Sequence, residues 1–184
     1  NESSVKDIIV PNDRWGKETR GNVGGNFTTE YGYIEADKRI EDVEFDRPFE
    51  ECRGIGMSFG FNKNEDVGDY LSAKEFIEML CDLVSKGGNF LLNIGPAADG
   101  TIPVIMEERL LQMGDWLRVN GEAIYASKIY SKSKQDGVYY TKKGDDVYAI
   151  INRFPFGAQL LELVDYDPEM KAELLGCDVA LEIR

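Results

Sequence analysis

Apolar positions along the chain recur with two different periods, and the change from one to the other falls near residue 126. DIIVP at 7–11 is a compact apolar run stopped by proline, which predicts a short buried strand with the polar NDRWG at its carboxyl end. About thirty polar, glycine-bearing residues follow without a period, the mark of a functional loop rather than a plain connection. CRGIGMSFGF at 52–61 resumes a strand reading, interrupted by three glycines.

Ser72-Ala73-Lys74-Glu75 has the form of a capping box, and Phe76, Ile77, Leu80, Leu83 and Val84 then recur at helical spacing up to Gly87-Gly88. A helix over about 73–86 is predicted. NFLLNIG at 89–95 is apolar without strict alternation, as in a parallel strand covered on both faces. After PAADG, Pro103 opens a second predicted helix, whose apolar residues from Ile105 to Leu117 lead to the stop Asn120-Gly121. Strand, helix, strand, helix with short links predicts an α/β unit. Beyond about Tyr125 the period becomes two: GVYYTKKGDDVYAIINRF reads as a hairpin, and QLLELVDY and DVALEIR as short strands. The pattern therefore predicts an α/β part over 1–126 and an all-β part over 127–184.

Composition narrows the partners. Thirty-four acidic residues against 21 basic ones give a net charge of -13, which repels phosphate backbones and anionic lipid surfaces. Nucleic acid and membrane are not expected as partners, whereas a neutral sugar meets no such barrier. No segment approaches the roughly 20 apolar residues of a membrane span. Histidine is absent and the three cysteines, Cys52, Cys81 and Cys177, are far apart, so a zinc site or a histidine-based dyad within these residues is not expected. Asn1-Glu2-Ser3 and Asn26-Phe27-Thr28 match the short glycosylation pattern. The chain opens at Asn1 and closes on strand-like DVALEIR, so both ends are expected to be internal to a longer polypeptide.

In an α/β layer, ligands bind at the carboxyl edge of the strands, which selects NDRWG, the loop holding Glu30, SFGFNKNE and NIGPAADG as candidates. Arg14 is either half of a surface ion pair or a guanidinium fork for a polar ligand. Glu30 is either one solvated carboxylate among many or a general acid, its pKa raised by aromatic neighbours Phe27, Tyr31 and Tyr33. Phe59 is either core or an apolar wall for a ligand. NIGPAADG lacks the lysine and glycine spacing of a phosphate loop and reads as a structural turn.

NDRWG, TTEY, CRGIGMSFGFNKNE, YLS, LVSKGGNFLLNIGPAADGTIP and ERLLQMGDWLRVNGEAIY, in that order over residues 8–126, closely resemble the α-L-fucosidases of glycoside hydrolase family 29. The resemblance implies the carboxyl-terminal portion of a TIM-like (β/α) barrel over 1–126, followed by the start of a β-sandwich over 127–184. It implies retaining hydrolysis of terminal α-L-fucosyl residues on fucosylated oligosaccharides or glycoconjugates, with no cofactor or metal. Carried over residue by residue, Glu30 is the general acid/base, Arg14 lies in the fucose pocket, and Phe59 walls the sugar's methyl group. Glu35, Glu50 and Glu65 are rival carboxylates; Glu50 falls just before the CRGIG strand and Glu65 after it. The family's nucleophilic aspartate and pocket histidines fall before Asn1, so the remainder of the barrel is expected upstream and these residues alone are expected to be inactive. A non-catalytic carbohydrate-binding or scaffold remnant of the same fold is the alternative. Compartment is left open among secreted, periplasmic and lysosomal.

Overall fold

The computed structural model describes Ser4, Thr28–Glu30 and residues 48–183 apart from Asp136, Phe156 and Ala180. The strand expected at DIIVP, the NDRWG motif and most of the loop after it lie outside the described residues. The chain forms two compact units, one of residues 1–70 and 86–103 and the other of 71–85 and 104–184. The first holds a parallel sheet, and the second holds the two long helices and an antiparallel sheet. Contacts thus group the helices with the later strands, while the change of sequence period near 126 marks a change of element type.

The first unit holds a parallel sheet of β1 (Thr28–Glu30), β2 (Phe49–Gly54) and β3 (Gly88–Asn93), in that spatial order. The expected strand at 89–95 is present, starting one residue earlier and ending two earlier, at Asn93. The strand expected at 52–61 is a correction: pairing begins at Phe49 and the ladder ends at Gly54. The chain turns back so tightly there that a Cβ on Gly54 would lie 2.6 Å from the Ser58 carbonyl oxygen. Close approach also explains Gly88, whose hydrogen side faces the Phe49 ring where a Cβ would clash.

The second unit contains α1 (Ala73–Ser85), α2 (Val104–Asn120) and an antiparallel sheet of β4 (Lys128–Gln135), β5 (Val138–Lys143) and β6 (Asp146–Ile151). Helix α1 begins as its capping box requires: the Ser72 N–H and hydroxyl donate to Glu75 Oε2, at 2.8 and 2.7 Å, and the Glu75 N–H donates to Ser72 Oγ at 3.3 Å. Cys81, Ile124 and Tyr139 form a core wrapped by Ile77, Leu80, Val84, Trp116, Leu117 and Ile150. Thr141, fully buried, donates to the Ala123 carbonyl at 2.7 Å and ties β5 to the end of α2's exit turn. The expected hairpin is present, with Lys143 opposite Asp146. Gly144 at φ 62° supplies the left-handed first position that a two-residue hairpin turn demands.

Two expectations fail in this unit. Neither QLLELVDY nor DVALEIR forms a strand among the described residues; the isolated bridge Leu174–Cys177 lies just before the second. Their alternation finds no ladder partner, and Leu160, Tyr166, Val179 and Leu181 remain exposed. The third strand is instead the lysine-rich KIYSKSKQ of β4. Among the described residues no helix is long and apolar enough to cross a membrane.

The buried face of α1 carries a pH signature. Burial, and then the charges of Glu78 and Asp82, push the Cys81 thiol from 9.0 up to about 12. The folded state therefore holds a proton that the unfolded chain releases near pH 9. This contribution to stability is complete below that pH and is lost as pH rises towards about 12. In denaturant titrations of the full-length protein, stability is expected to decline above pH 9, less steeply in Cys81→Ala. Maleimide at pH 8 should spare Cys81 until the protein is unfolded.

Candidate active site

Because β1, β2 and β3 run parallel, their carboxyl ends point the same way, β2 and β3 ending level with each other and β1 earlier. Glu30 is the last residue of β1 and sits in register with Glu51, which is in turn level with Phe90. Gly54, last in β2, is level with Asn93, last in β3. The backbone of Glu30 thus lies three register positions, roughly 10 Å along the strands, before the point where the SFG loop departs. Sequence reasoning placed both Glu30 and Phe59 in loops; Glu30 instead ends a short strand, β1, that its sequence did not predict, whereas Phe59 does lie in the loop that leaves β2. Arg14 and Glu35 lie outside the described residues.

The loop after β2 is held from several directions. The Ile55 N–H extends the ladder by donating to the Asn93 carbonyl at 2.8 Å, and the Ile55 side chain is buried. The Ser58 N–H donates to Glu65 Oε1 at 2.6 Å, and Asn62 Nδ2 donates to Ser58 Oγ at 3.1 Å. Asn93 Nδ2 donates to the Phe59 carbonyl at 2.5 Å. Every second side chain of Met57-Ser58-Phe59-Gly60-Phe61 faces outward: Met57, Phe59 and Phe61 are 74%, 49% and 49% exposed. An apolar comb at the carboxyl edge of a parallel sheet has the chemistry of a ligand wall.

Glu65 is committed to this loop. Gly56 makes space for it, since a Cβ there would run into Glu65 Oε2 and reach within 3.0 Å of the Tyr70 ring. Burial, then hydrogen bonding and charge from Glu65, then the charge of Asp69, push Tyr70 up to about 12. Tyr70 therefore stays a neutral phenol beside the carboxylate. Of the other rivals, Glu50 lies within β2, level with Thr29. Glu51, its neighbour, is 1% exposed and was not flagged by the sequence. Two consecutive carboxylates gave no sign of which one faces inward.

The loop after β3 closes on itself. The Ala97 N–H donates to the Thr101 carbonyl at 2.8 Å, and the Thr101 N–H and hydroxyl both donate to Asp99 Oδ1, at 3.0 and 2.7 Å. Those two bonds to Thr101 hold the Asp99 carboxyl below its usual range. The loop is a structural turn, as its sequence suggests. In the second unit, an apolar cavity of about 260 Å³ is lined by residues including Ile77, Cys81, Trp116, Tyr139 and Ile150, and shares no residue with the strand-end loops.

The sequence profile of the family described as Alpha-L-fucosidase matches residues 1–122. The chain belongs to the α-L-fucosidase family. An α-L-fucosidase of Branchiostoma floridae is 42% identical over 181 residues, which is 96% of this chain and 39% of that protein. A human plasma α-L-fucosidase is 41% identical over 167 residues, 87% of this chain and 34% of its own length. Among solved structures, an α-L-fucosidase superposes with a TM-score of 0.68 at 37% identity, covering 79% of this chain and 32% of the other. The Thermotoga maritima α-fucosidase solved in complex with fucose gives 0.60 at 38% identity, covering 75% and 30%. The chain therefore spans well under half the length of these fucosidases. The profile match contains Arg14, Glu30 and Phe59.

Proposed function

We propose that these residues form the acid/base half of a retaining α-L-fucosidase active site, the nucleophile being supplied by another part of the polypeptide. The single observation that carries this reading is the shared strand direction: β1 ends on Glu30, and the Phe59 loop leaves β2 at its own carboxyl end. Enzymes built on parallel β/α units work at the carboxyl ends of their strands. The reading includes a (β/α) barrel portion over 1–126 and the beginning of a β-sandwich over 127–184. The end of the profile match at residue 122 and the start of antiparallel pairing at Lys128 support that boundary.

In the first step an aspartate carboxylate attacks the anomeric carbon while protonated Glu30 donates to the departing glycosidic oxygen. The glycosyl–enzyme ester is then hydrolysed by a water that Glu30, now a carboxylate, deprotonates. Retention requires the two carboxyl groups to stand about 5–5.5 Å apart. Arg14 donates to sugar hydroxyls, and Phe59 packs on the sugar's methyl group. The substrate class is a terminal α-L-fucosyl residue on an oligosaccharide or glycoconjugate, a neutral sugar compatible with a net charge of -13. No cofactor is called for.

Phe59→Ala in the full-length enzyme tests the wall. Loss of a half-exposed aromatic contact is expected to raise KM for 4-nitrophenyl α-L-fucoside about tenfold or more, with kcat changed far less. A sugar-binding remnant would instead bind fucose by calorimetry and release no nitrophenol.

A further inference from the structure

We propose that Glu65 and Asn93 are positioning residues that fix Phe59 and thereby set the preference for a methyl over a hydroxymethyl group on the bound sugar. The inference rests on Phe59 being the pocket wall. Its observation is the pair of hydrogen bonds that brackets Phe59 along the main chain. Glu65 Oε1 takes the Ser58 N–H, which belongs to the peptide plane before Ser58. Asn93 Nδ2 holds the Phe59 carbonyl, which belongs to the plane after Phe59.

With both planes anchored and the planes themselves rigid, the only freedom left between them is the φ and ψ of Ser58 and Phe59. The direction of the Phe59 Cα–Cβ bond follows. The anchors come from different places: Glu65 lies seven residues on, whereas Asn93 closes the neighbouring strand β3. A charged acceptor also makes the stronger bond to Ser58. The Asn62 bond to Ser58 Oγ and the close approach of Gly95 to the Gly60–Phe61 backbone keep Ser58 inward and Phe59 outward. Exposed side chains ordinarily gain little from such precision. Here it holds an apolar ring where a sugar methyl would arrive, and a hydroxymethyl group at that place would lose its hydration against the ring.

The test is a double-mutant cycle in the full-length enzyme, reading KM, kcat, melting temperature and the kcat/KM ratio for aryl α-L-fucoside over aryl α-L-galactoside. Glu65→Ala and Asn93→Ala are each expected to raise KM roughly five- to tenfold, leave kcat within about threefold, and lower the ratio. Glu65→Gln keeps an acceptor for the Ser58 N–H and should recover most of the ratio. In a Phe59→Ala background, Glu65→Ala should add almost nothing. Additive effects of Phe59→Ala and Glu65→Ala, or a ratio unmoved by both single anchor variants, would overturn the positioning role alone. A collapse of kcat in Glu65→Ala that azide restores would overturn it too, making Glu65 the acid/base. A silent Phe59→Ala would overturn the pocket wall and this proposal with it. Should Glu65→Ala fail to fold, Asn93→Ala and Glu65→Gln decide on the same readouts.

Discussion

Glu30→Ala in the full-length enzyme is expected to lower kcat/KM for fucosides with poor leaving groups by about 10²–10⁴-fold, while kcat/KM for an activated aryl fucoside changes little. The asymmetry follows from the two tasks assigned to one carboxyl group. A poor leaving group needs its oxygen protonated as the bond breaks, whereas a nitrophenolate departs unaided. The second step still needs a base, so kcat on the activated substrate becomes limited by hydrolysis of the glycosyl–enzyme. Azide needs no deprotonation and should restore that step. Leaving-group dependence measured over a series of aryl fucosides checks this, and equal losses across the series would remove Glu30 from the role.

The second large effect is expected at Gly95, a position with no chemistry of its own. Its backbone lies against that of Gly60 and Phe61, and a Cβ there would sit 2.5 Å from both Gly60 C and Phe61 N. A side chain can rotate away from such a contact, but a main chain can only move. The part that moves is the loop carrying Phe59. Gly95→Ala should cost about 1–3 kcal/mol of stability, in line with overpacking elsewhere. It should also lower kcat/KM for aryl fucosides at least about tenfold by displacing the wall. Gly60→Ala is the comparison, since its Cβ meets nothing within 4 Å and should leave the melting temperature unchanged. Denaturant titration and steady-state kinetics on the two variants separate the outcomes.

What the sequence made legible was local. The capping box at Ser72 and Glu75 and the apolar spacing along α1 lie within a few residues of each other, and the helix forms where they say. The hairpin is equally local, its turn resting on Gly144. Legibility fails where a partner decides. Strand β2 begins at Phe49, ahead of the glycine-marked run, because it pairs with β1 on one side and β3 on the other, a register that Phe49-Glu50-Glu51 does not advertise. QLLELVDY has the alternation of a strand without a ladder, while lysine-rich KIYSKSKQ has a ladder with weak alternation.

The same division holds at the site. Glu30 and Phe59 stood out in the sequence as members of ordered motifs, but that Glu30 ends a strand paired in parallel with β2 did not. The anchors were not legible as anchors. Glu65 looked like a rival catalytic carboxylate until the Ser58 N–H was found on it, and Asn93 looked like the end of a strand. Both act across tertiary contacts, on groups of the main chain that every residue possesses. A single sequence has no signal for that.

Azide offers the most direct decision on Glu30, through the configuration of the product. Glu30→Ala full-length enzyme, given 4-nitrophenyl α-L-fucoside and azide, should form the glycosyl–enzyme on an intact nucleophile and pass the sugar to azide on the face the leaving group vacated. Proton NMR is then expected to show α-L-fucosyl azide. Formation of β-L-fucosyl azide would make Glu30 the nucleophile, and absence of any fucosyl azide together with undiminished hydrolysis would contradict a catalytic Glu30 altogether.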